Sequence, residues 1–170
     1  MVEHTRFHGI HAATVCPMQS DYTIDEDALA RHVASVAAVP GIPGLLVNGH
    51  AGENFLLTRE EMKRVVTCVR ASVPANCNLT VGVNAESSTE AARIAADAEA
   101  AGADALLVFP PNSWALNHDR EMVLAHHRHV LEASRLPLVL YHAPVGAGRM
   151  AYSPETVAAL VEEERVQAIK

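Results

Sequence analysis

The sequence predicts an α/β fold and, within that class, a (β/α)8 TIM barrel. Six short apolar runs alternate along the chain with longer amphipathic segments, which favours parallel strands joined by right-handed crossovers. The runs are almost continuously apolar, as is typical of strands buried on both faces. Polar or reactive residues follow almost every run, and a barrel brings all such strand ends to one mouth. These residues are Asn48, Asn84, Asn112, Tyr141 and Lys170.

A doubly wound sheet is the competing α/β architecture. It usually carries a glycine-rich phosphate turn after the first strand, whereas here that run is followed by Cys16-Pro17-Met18. A closed barrel of this type has eight strands, and the sequence contains six candidate strands. We therefore expect residues 1–170 to form a single barrel domain that carries the first five βα units and strand six. Roughly two more strands are expected beyond Lys170, as eight-stranded closure requires.

Each element follows from an apolar run or from a cap residue that accepts hydrogen bonds from the first helical turn. The predicted strands cover residues 9–15, 45–47, 78–82, 105–108, 137–141 and 166–169. The predicted helices cover residues 26–39, 58–72, 88–101, 119–133 and a last segment that begins at 154. The predicted caps are Thr23 or Asp25, a capping box of Thr58 with Glu61, Ser88, and Ser153 followed by Pro154.

Composition excludes several classes of protein. Hydrophobic residues make up 49% of the chain, too many for a disordered protein, and the net charge of −7 disfavours nucleic acid as a partner. No apolar run is long enough to span a membrane, and the first residues lack the apolar stretch of a signal peptide. Three cysteines without metal-ligand spacing indicate free thiols in a reducing, cytoplasmic setting.

Two reactive side chains end neighbouring strands of the predicted sheet. Tyr141 closes the fifth apolar run and Lys170 closes the sixth, about thirty residues later, as in a βαβ unit. A buried lysine beside a phenol suits carbonyl chemistry, because the amine forms a Schiff base and the phenol moves protons. No cofactor is required, since the protonated imine stores the electrons of the breaking or forming bond. The sequence therefore predicts Lys170 and Tyr141 as catalytic residues.

Three stretches carry a resemblance to a known family. They are residues 44–53 (GLLVNGHAGE), Tyr141-His142-Ala143-Pro144 and Ala168-Ile169-Lys170, and Val15-Cys16-Pro17-Met18 also matches the end of the family's first strand. In these stretches the sequence resembles the dihydrodipicolinate synthase / N-acetylneuraminate lyase family. The resemblance implies a Schiff-base lyase or aldolase on a (β/α)8 barrel, acting on pyruvate or another 2-keto acid and assembled as a homotetramer or dimer. It implies Lys170 as the imine-forming lysine, Tyr141 as the proton-transfer residue, and a loop that holds the keto-acid carboxylate. That loop consists of Gly49, His50, Ala51 and Gly52.

The sequence departs from the family pattern at three places. The family loop usually has hydroxyl residues where this chain has His50 and Ala51, so His50 is a candidate donor or proton shuttle. Gly146 stands where dihydrodipicolinate synthases carry an arginine that binds a carboxylate, and Pro111-Asn112-Ser113 stands where they carry a second tyrosine. We therefore expect a second substrate other than the aspartate semialdehyde of those synthases.

Two other functional classes remain open from the sequence. A metal-dependent barrel enzyme needs ligands at strand ends; the histidines at 118, 126, 127 and 129 are expected instead to lie on the solvated face of an outer helix, with no metal bound. Cys16 lacks an activating partner, and Glu53 is expected to have a structural role. A non-catalytic relative is the other alternative, favoured by the altered loop and by Gly146.

Overall fold

The computed structural model describes residues 4–142 and 150–170, and in them all six predicted strands form one parallel sheet. Each strand pairs with the next in sequence, so the order is β1-β2-β3-β4-β5-β6 without a reversal. This order is that of a barrel and excludes the doubly wound alternative. The strands are β1 (His11–Ala13), β2 (Gly44–Val47), β3 (Asn78–Val83), β4 (Ala105–Val108), β5 (Leu138–Leu140) and β6 (Val166–Ile169).

Five α-helices connect the strands, and their starts follow the predicted caps with one correction. Asp25 caps the first helix, and Thr58 and Glu61 form the predicted capping box. The third helix is capped by Ser87 and not by Ser88, because the Ser87 hydroxyl accepts from the backbone N–H of Glu90. The helices are α1 (Glu26–Ala37), α2 (Arg59–Ser72), α3 (Ser88–Ala100), α4 (Arg120–Ala133) and α5 (Pro154–Val161).

Alternate residues of the strands serve two different cores. Residues such as Leu45 and Leu106 point outward and join the large core between the sheet and the helices. Their neighbours on the other face, which include Leu46 and Leu107, meet one another in a second cluster that spans β2 to β6. Side chains from strands this far apart touch only if the sheet is curled, so the inner face lines the lumen of a partial barrel.

The sheet has two unpaired edges in the described part of the chain, β1 and β6. The edge at β6 leaves apolar surface open, since Ile169 keeps 50% of its surface exposed. None of the helices in the described ranges is long and apolar enough to cross a membrane.

Two histidines of α4 contradict the expectation of a solvated face. His126 is only 1% exposed and His127 is fully buried. His127 donates from Nδ1 to the carbonyl of Val123 at 2.9 Å, and His126 Nδ1 pairs with the Ser88 hydroxyl at 3.1 Å. Helix α4 also packs against α3. The two imidazoles are therefore part of the core, although the sequence pattern predicts that they face solvent.

Because these two histidines are buried, we expect the stability of the folded protein to decrease in acid. Burial lowers the pKa of both His126 and His127 from 6.5 to about 4, so the folded protein keeps both rings neutral. Below pH 6.5 the two imidazoles bind protons in the unfolded chain but not yet in the folded protein. The stability present at neutral pH is therefore progressively lost as the pH falls towards 4. The free energy of unfolding is expected to fall by about 2–3 kcal/mol between pH 7.5 and 5.5, measured by urea unfolding.

The exposed His129 provides the control for this prediction. His127→Gln is expected to reduce the pH dependence because one buried imidazole is removed, whereas His129→Gln removes no buried group. A wild-type protein that is equally stable at the two pH values would contradict the assignment of these rings as neutral and buried.

Candidate active site

Backbone pairing brings Tyr141 and Lys170 side by side at the carboxyl ends of β5 and β6. The Lys170 N–H donates to the Leu140 carbonyl at 2.8 Å, and the His142 N–H donates to the Lys170 carbonyl at 2.9 Å. Tyr141 follows the inward-facing Val139 by two residues, as Lys170 follows Ala168, so both side chains point to the lumen side. We call these carboxyl ends of the strands the mouth.

The amine of Lys170 lies over the aromatic face of Tyr141. Its Nζ atom is 5.4 Å from the centre of the Tyr141 ring, within the range of a cation–π contact. Lys170 is exposed in this structure, contrary to the expectation of a buried lysine. The reason is its position on β6, which has β5 as its one neighbour among the described residues and therefore leaves one side of Lys170 open.

The loop after β2 reaches the mouth through a left-handed residue. Asn48 has φ 51°, and its buried side chain donates from Nδ2 to the Met62 carbonyl at 3.0 Å. This bond anchors the start of the loop to α2. The backbone of Asn48 passes so close to β3 that a Cβ on Gly82 would lie 2.0 Å from the Asn48 oxygen. Glycine at 82 is therefore required for the path of this loop.

The predicted carboxylate loop forms a short 3-10 turn over His50–Gly52. The Gly52 N–H closes the turn on the Gly49 carbonyl at 3.0 Å, and the Glu53 N–H closes on the His50 carbonyl at 3.1 Å. The first N–H groups of a helical turn have no acceptor within it, which suits them to bind an anion. Gly49 and Gly52 are buried, while His50 and Ala51 are exposed.

His50 contacts two phenylalanine rings, and the three rings together form what we call the ring stack. The His50 and Phe109 rings are stacked, with centroids 4.4 Å apart and planes inclined by 26°. The Phe55 ring also contacts His50, with centroids 4.8 Å apart and planes inclined by 30°. These two contacts restrict the plane of the imidazole.

The ring stack adjoins Tyr141 and hence the reactive pair. The Tyr141 centroid lies 5.4 Å from that of His50 and 4.7 Å from that of Phe109. Burial lowers the pKa of His50, and the positive charge of Lys170 lowers it further. The neutral imidazole has one donor and one acceptor nitrogen at the mouth, as a proton shuttle requires.

Below the mouth the lumen contains a cavity of about 310 Å³, which opens beside Lys170. One residue from each of the six strands lines it, and His11 and Thr80 bring polar atoms into this otherwise mostly apolar wall. These residues are His11, Leu46, Thr80, Leu107, Val139 and Ala168. The cavity thus lies along the lumen, so a substrate at Lys170 has mostly apolar side chains below it.

The other candidate residues weighed in the sequence lie away from this constellation or outside the described residues. Cys16 is buried, and burial raises the pKa of its thiol to about 11, with nearby Glu53 adding to the effect, so the thiol stays protonated. No group of three or more His, Cys, Asp or Glu in residues 4–142 and 150–170 lies close enough to hold a metal ion. Ala143 and Pro144 of the tyrosine motif and Gly146 lie outside the described residues.

Sequence reasoning missed Phe109 and Phe55. Phe109 directly follows β4, where an inward-facing residue of period two is expected, and this spacing was the available signal. Phe55 gave no such signal, because it lies in an irregular stretch of the loop after β2 whose path depends on Asn48 and Gly82.

Comparison with known proteins agrees with this geometry. Residues 6–170 match the model of the Dihydrodipicolinate synthetase family. A 4-hydroxy-tetrahydrodipicolinate synthase of Methanothrix thermoacetophila is 36% identical over 96% of this chain and 54% of its own length. A probable 4-hydroxy-2-oxoglutarate aldolase of Emericella nidulans is 28% identical over 95% of this chain and 53% of its own length. The crystal structure of dihydrodipicolinate synthase from Agrobacterium tumefaciens superposes with a TM-score of 0.88 at 30% identity, covering 98% of this chain and 55% of that one.

The curled parallel sheet with its outer helices defines a partial (β/α) barrel. The chain belongs to the dihydrodipicolinate synthetase family, which confirms the resemblance found in the loop, the tyrosine motif and the lysine strand. It spans about half the length of the curated relatives it matches.

Proposed function

We propose that this chain provides the imine-forming site of a lyase that acts on a 2-keto acid. The observation that carries the proposal is the distance of 5.4 Å between the Lys170 amine and the centre of the Tyr141 ring. An amine forms the covalent adduct with a ketone, and a phenol beside it transfers the protons. Relatives that are named as a synthase and a probable aldolase support the lyase class.

The reaction begins when the unprotonated Lys170 amine adds to the carbonyl carbon C2 of the keto acid. A C–N bond forms, the carbonyl oxygen takes up protons and leaves as water, and a positively charged imine results. When the C3–C4 bond breaks, its electron pair moves into the imine and forms an enamine, while the C4 hydroxyl loses its proton and becomes an aldehyde. Tyr141 transfers that proton to C3, and hydrolysis of the new imine then releases pyruvate and regenerates the amine.

A dehydratase would use the same imine. Loss of a proton from C3 forms the enamine, which then expels the C4 hydroxyl as water once that group has received a proton. The charge of the imine supplies the electron sink in both reactions, so Lys170 and Tyr141 keep their roles. The turn at 49–52 binds the carboxylate of the keto acid through backbone N–H groups, because an anion is favoured at the start of a helical turn.

We propose a second substrate different from aspartate semialdehyde. Arginine binds a carboxylate in a bidentate manner, and the sequence has Gly146 at the position where the synthases have that arginine. His50 and Ala51 also replace the hydroxyl residues of the usual loop. Little turnover is expected with pyruvate and aspartate semialdehyde in a coupled synthase assay, and rapid turnover would contradict the proposal.

We propose that the active unit is a closed eight-stranded barrel in which residues 1–170 are one part. The unpaired edges of β1 and β6 and the half-exposed Ile169 support closure by further strands. Closure would also cover the open side of Lys170. Intact mass and light scattering of the active protein test this proposal, and an active monomer of 18.2 kDa would overturn it.

Covalent trapping is the direct test of the imine. Incubation of the full-length protein with pyruvate and borohydride is expected to reduce the imine to a stable secondary amine, which intact mass spectrometry detects. Protein without pyruvate provides the control. If no adduct forms with any 2-keto acid tested, the proposed mechanism is wrong.

Replacing Tyr141 by phenylalanine is expected to separate the two roles. Tyr141→Phe keeps the ring beneath the Lys170 amine but removes the phenolic proton, so imine trapping persists while kcat falls by about 10²–10⁴-fold, the usual contribution of a general acid/base. Single-turnover trapping and steady-state kinetics measure the two effects. Unchanged kcat in this variant would remove Tyr141 from the proton-transfer role.

A further inference from the structure

We propose that Phe109 is a positioning residue, which holds the imidazole of His50 in a fixed plane beside Tyr141 and Lys170. The inference rests on the proposed function, because it names the residue that holds His50 in place beside Tyr141 in that site. Phe109 does not touch the reacting atoms in this proposal. It acts through the two rings that it contacts, those of His50 and Tyr141.

The position of Phe109 makes it a rigid support. It follows β4 directly, its N–H donates to the Val83 carbonyl at 2.9 Å, and its side chain is only 2% exposed. Its ring packs into the inner cluster with Leu107 and Val139, and one ring edge faces Gly82 of β3. A ring packed in this way cannot change its orientation without displacing the side chains of the inner cluster.

The loop that carries His50 is anchored to α2 at Asn48, but it supports the His50 ring less firmly than β4 supports Phe109. The His50 residue is exposed, and its turn is held by a few backbone bonds within the loop. Phe55 also contacts His50, but it belongs to the same loop and is 54% exposed, so it moves with the loop. Phe109, at 4.4 Å, is therefore the closer of the two ring contacts between His50 and the sheet, with Tyr141 at 5.4 Å as the other. Offset aromatic contacts of this kind stabilise a fixed ring geometry.

Phe109 also contacts both of the groups that must cooperate. The centroid of Phe109 is 4.4 Å from His50 and 4.7 Å from Tyr141, closer than the 5.4 Å that separates those two rings from each other. The titratable groups that flank the His50 ring are Tyr141 and Lys170, at the ends of β5 and β6, and Glu53 follows on its own loop. A leucine at 109 would leave one imidazole face open to water and free its plane.

The test replaces Phe109 by leucine and by tyrosine in the full-length protein. Phe109→Leu removes the ring face, so kcat/KM is expected to fall roughly 10-fold through misplacement of His50, and the midpoint of its acid limb is expected to move to higher pH as more water reaches the imidazole. Phe109→Tyr keeps the face and is expected to retain the wild-type acid limb. Borohydride trapping of pyruvate should be equal in all three proteins, because Phe109 does not hold Lys170.

Phe7→Leu is the matched control. Phe7 packs against the same inner cluster near the amino end of the strands and contacts His11 instead of His50. The same loss of ring atoms there is expected to leave the pH profile unchanged, which separates positioning of His50 from general weakening of the lumen core.

A readout without turnover makes the outcome unambiguous. The imidazole titration of His50, assigned in NMR spectra by its absence in His50→Asn, should move to higher pH in Phe109→Leu and remain in place in Phe7→Leu. A Phe109→Leu protein with the wild-type titration and pH profile would overturn this inference while leaving the imine mechanism intact. Absence of trapping in the wild type would instead overturn the mechanism on which it rests.

Discussion

Lys170→Ala is expected to abolish covalent trapping of pyruvate by borohydride and to lower kcat by at least about 10³-fold, the scale of loss when a covalent nucleophile is removed. The physical reason is that no other amine lies at the mouth in the described part of the chain, beside Tyr141 and above the lumen cavity. Alanine also removes the cation over the Tyr141 ring, which costs little stability at an exposed position. The folded protein should therefore survive the substitution.

The chain offers a close control for this experiment. Residues 1–170 contain two lysines, Lys63 and Lys170, and Lys63 is exposed on the outer helix α2. Lys63→Ala is expected to retain both trapping and turnover. Peptide mapping of the wild-type adduct should locate the pyruvate-derived mass on Lys170, and an adduct that persists in Lys170→Ala and maps to Lys63 would reject the assignment.

The β strands and most helix starts could be predicted because local physics determines them. Continuous apolar runs are long enough to specify buried strands such as β4, and a capping box such as that of Thr58 and Glu61 is a local hydrogen-bond arrangement. The predicted cap of α3 differs by one residue from the observed cap. Ser87 and Ser88 are both suitable cap residues, and a contact with another helix distinguishes them. The Ser88 hydroxyl instead forms a hydrogen bond with His126 of α4.

The proximity of Tyr141 and Lys170 could be predicted, whereas the aromatic contacts around them could not. Tyr141 and Lys170 end their own strands, and parallel pairing of neighbours then brings them together. The ring stack joins residues from β4 and from the loop after β2, which are more than fifty positions apart, and sequence spacing carries no record of such a contact. The prediction that His126 and His127 face solvent was wrong for a similar reason, because histidine is found both in cores and on surfaces.

Gly82→Ala is expected to be the most damaging change that leaves every reactive group in place. The new Cβ would lie 2.0 Å from the Asn48 oxygen, 2.7 Å from its carbonyl carbon and 3.1 Å from the Phe109 ring. Backbone atoms cannot swing aside as a flexible side chain can, so strand β3 and the start of the carboxylate loop must separate. The expected loss of unfolding free energy is about 3 kcal/mol or more, at the upper end of overpacking costs.

The same displacement is expected to weaken the site, because Asn48 anchors the loop that carries His50 and the turn at 49–52. Urea unfolding measures the first effect, and the pyruvate concentration needed for half-maximal trapping measures the second, which should rise several-fold. Gly52→Ala provides the control for stability: its Cβ would meet only the Thr14 carbonyl at 3.4 Å, an ordinary contact, so unfolding should change by less than about 0.5 kcal/mol. If Gly82→Ala is as stable as Gly52→Ala, the loop after β2 does not lie against β3 as described, and the support proposed for His50 fails with it.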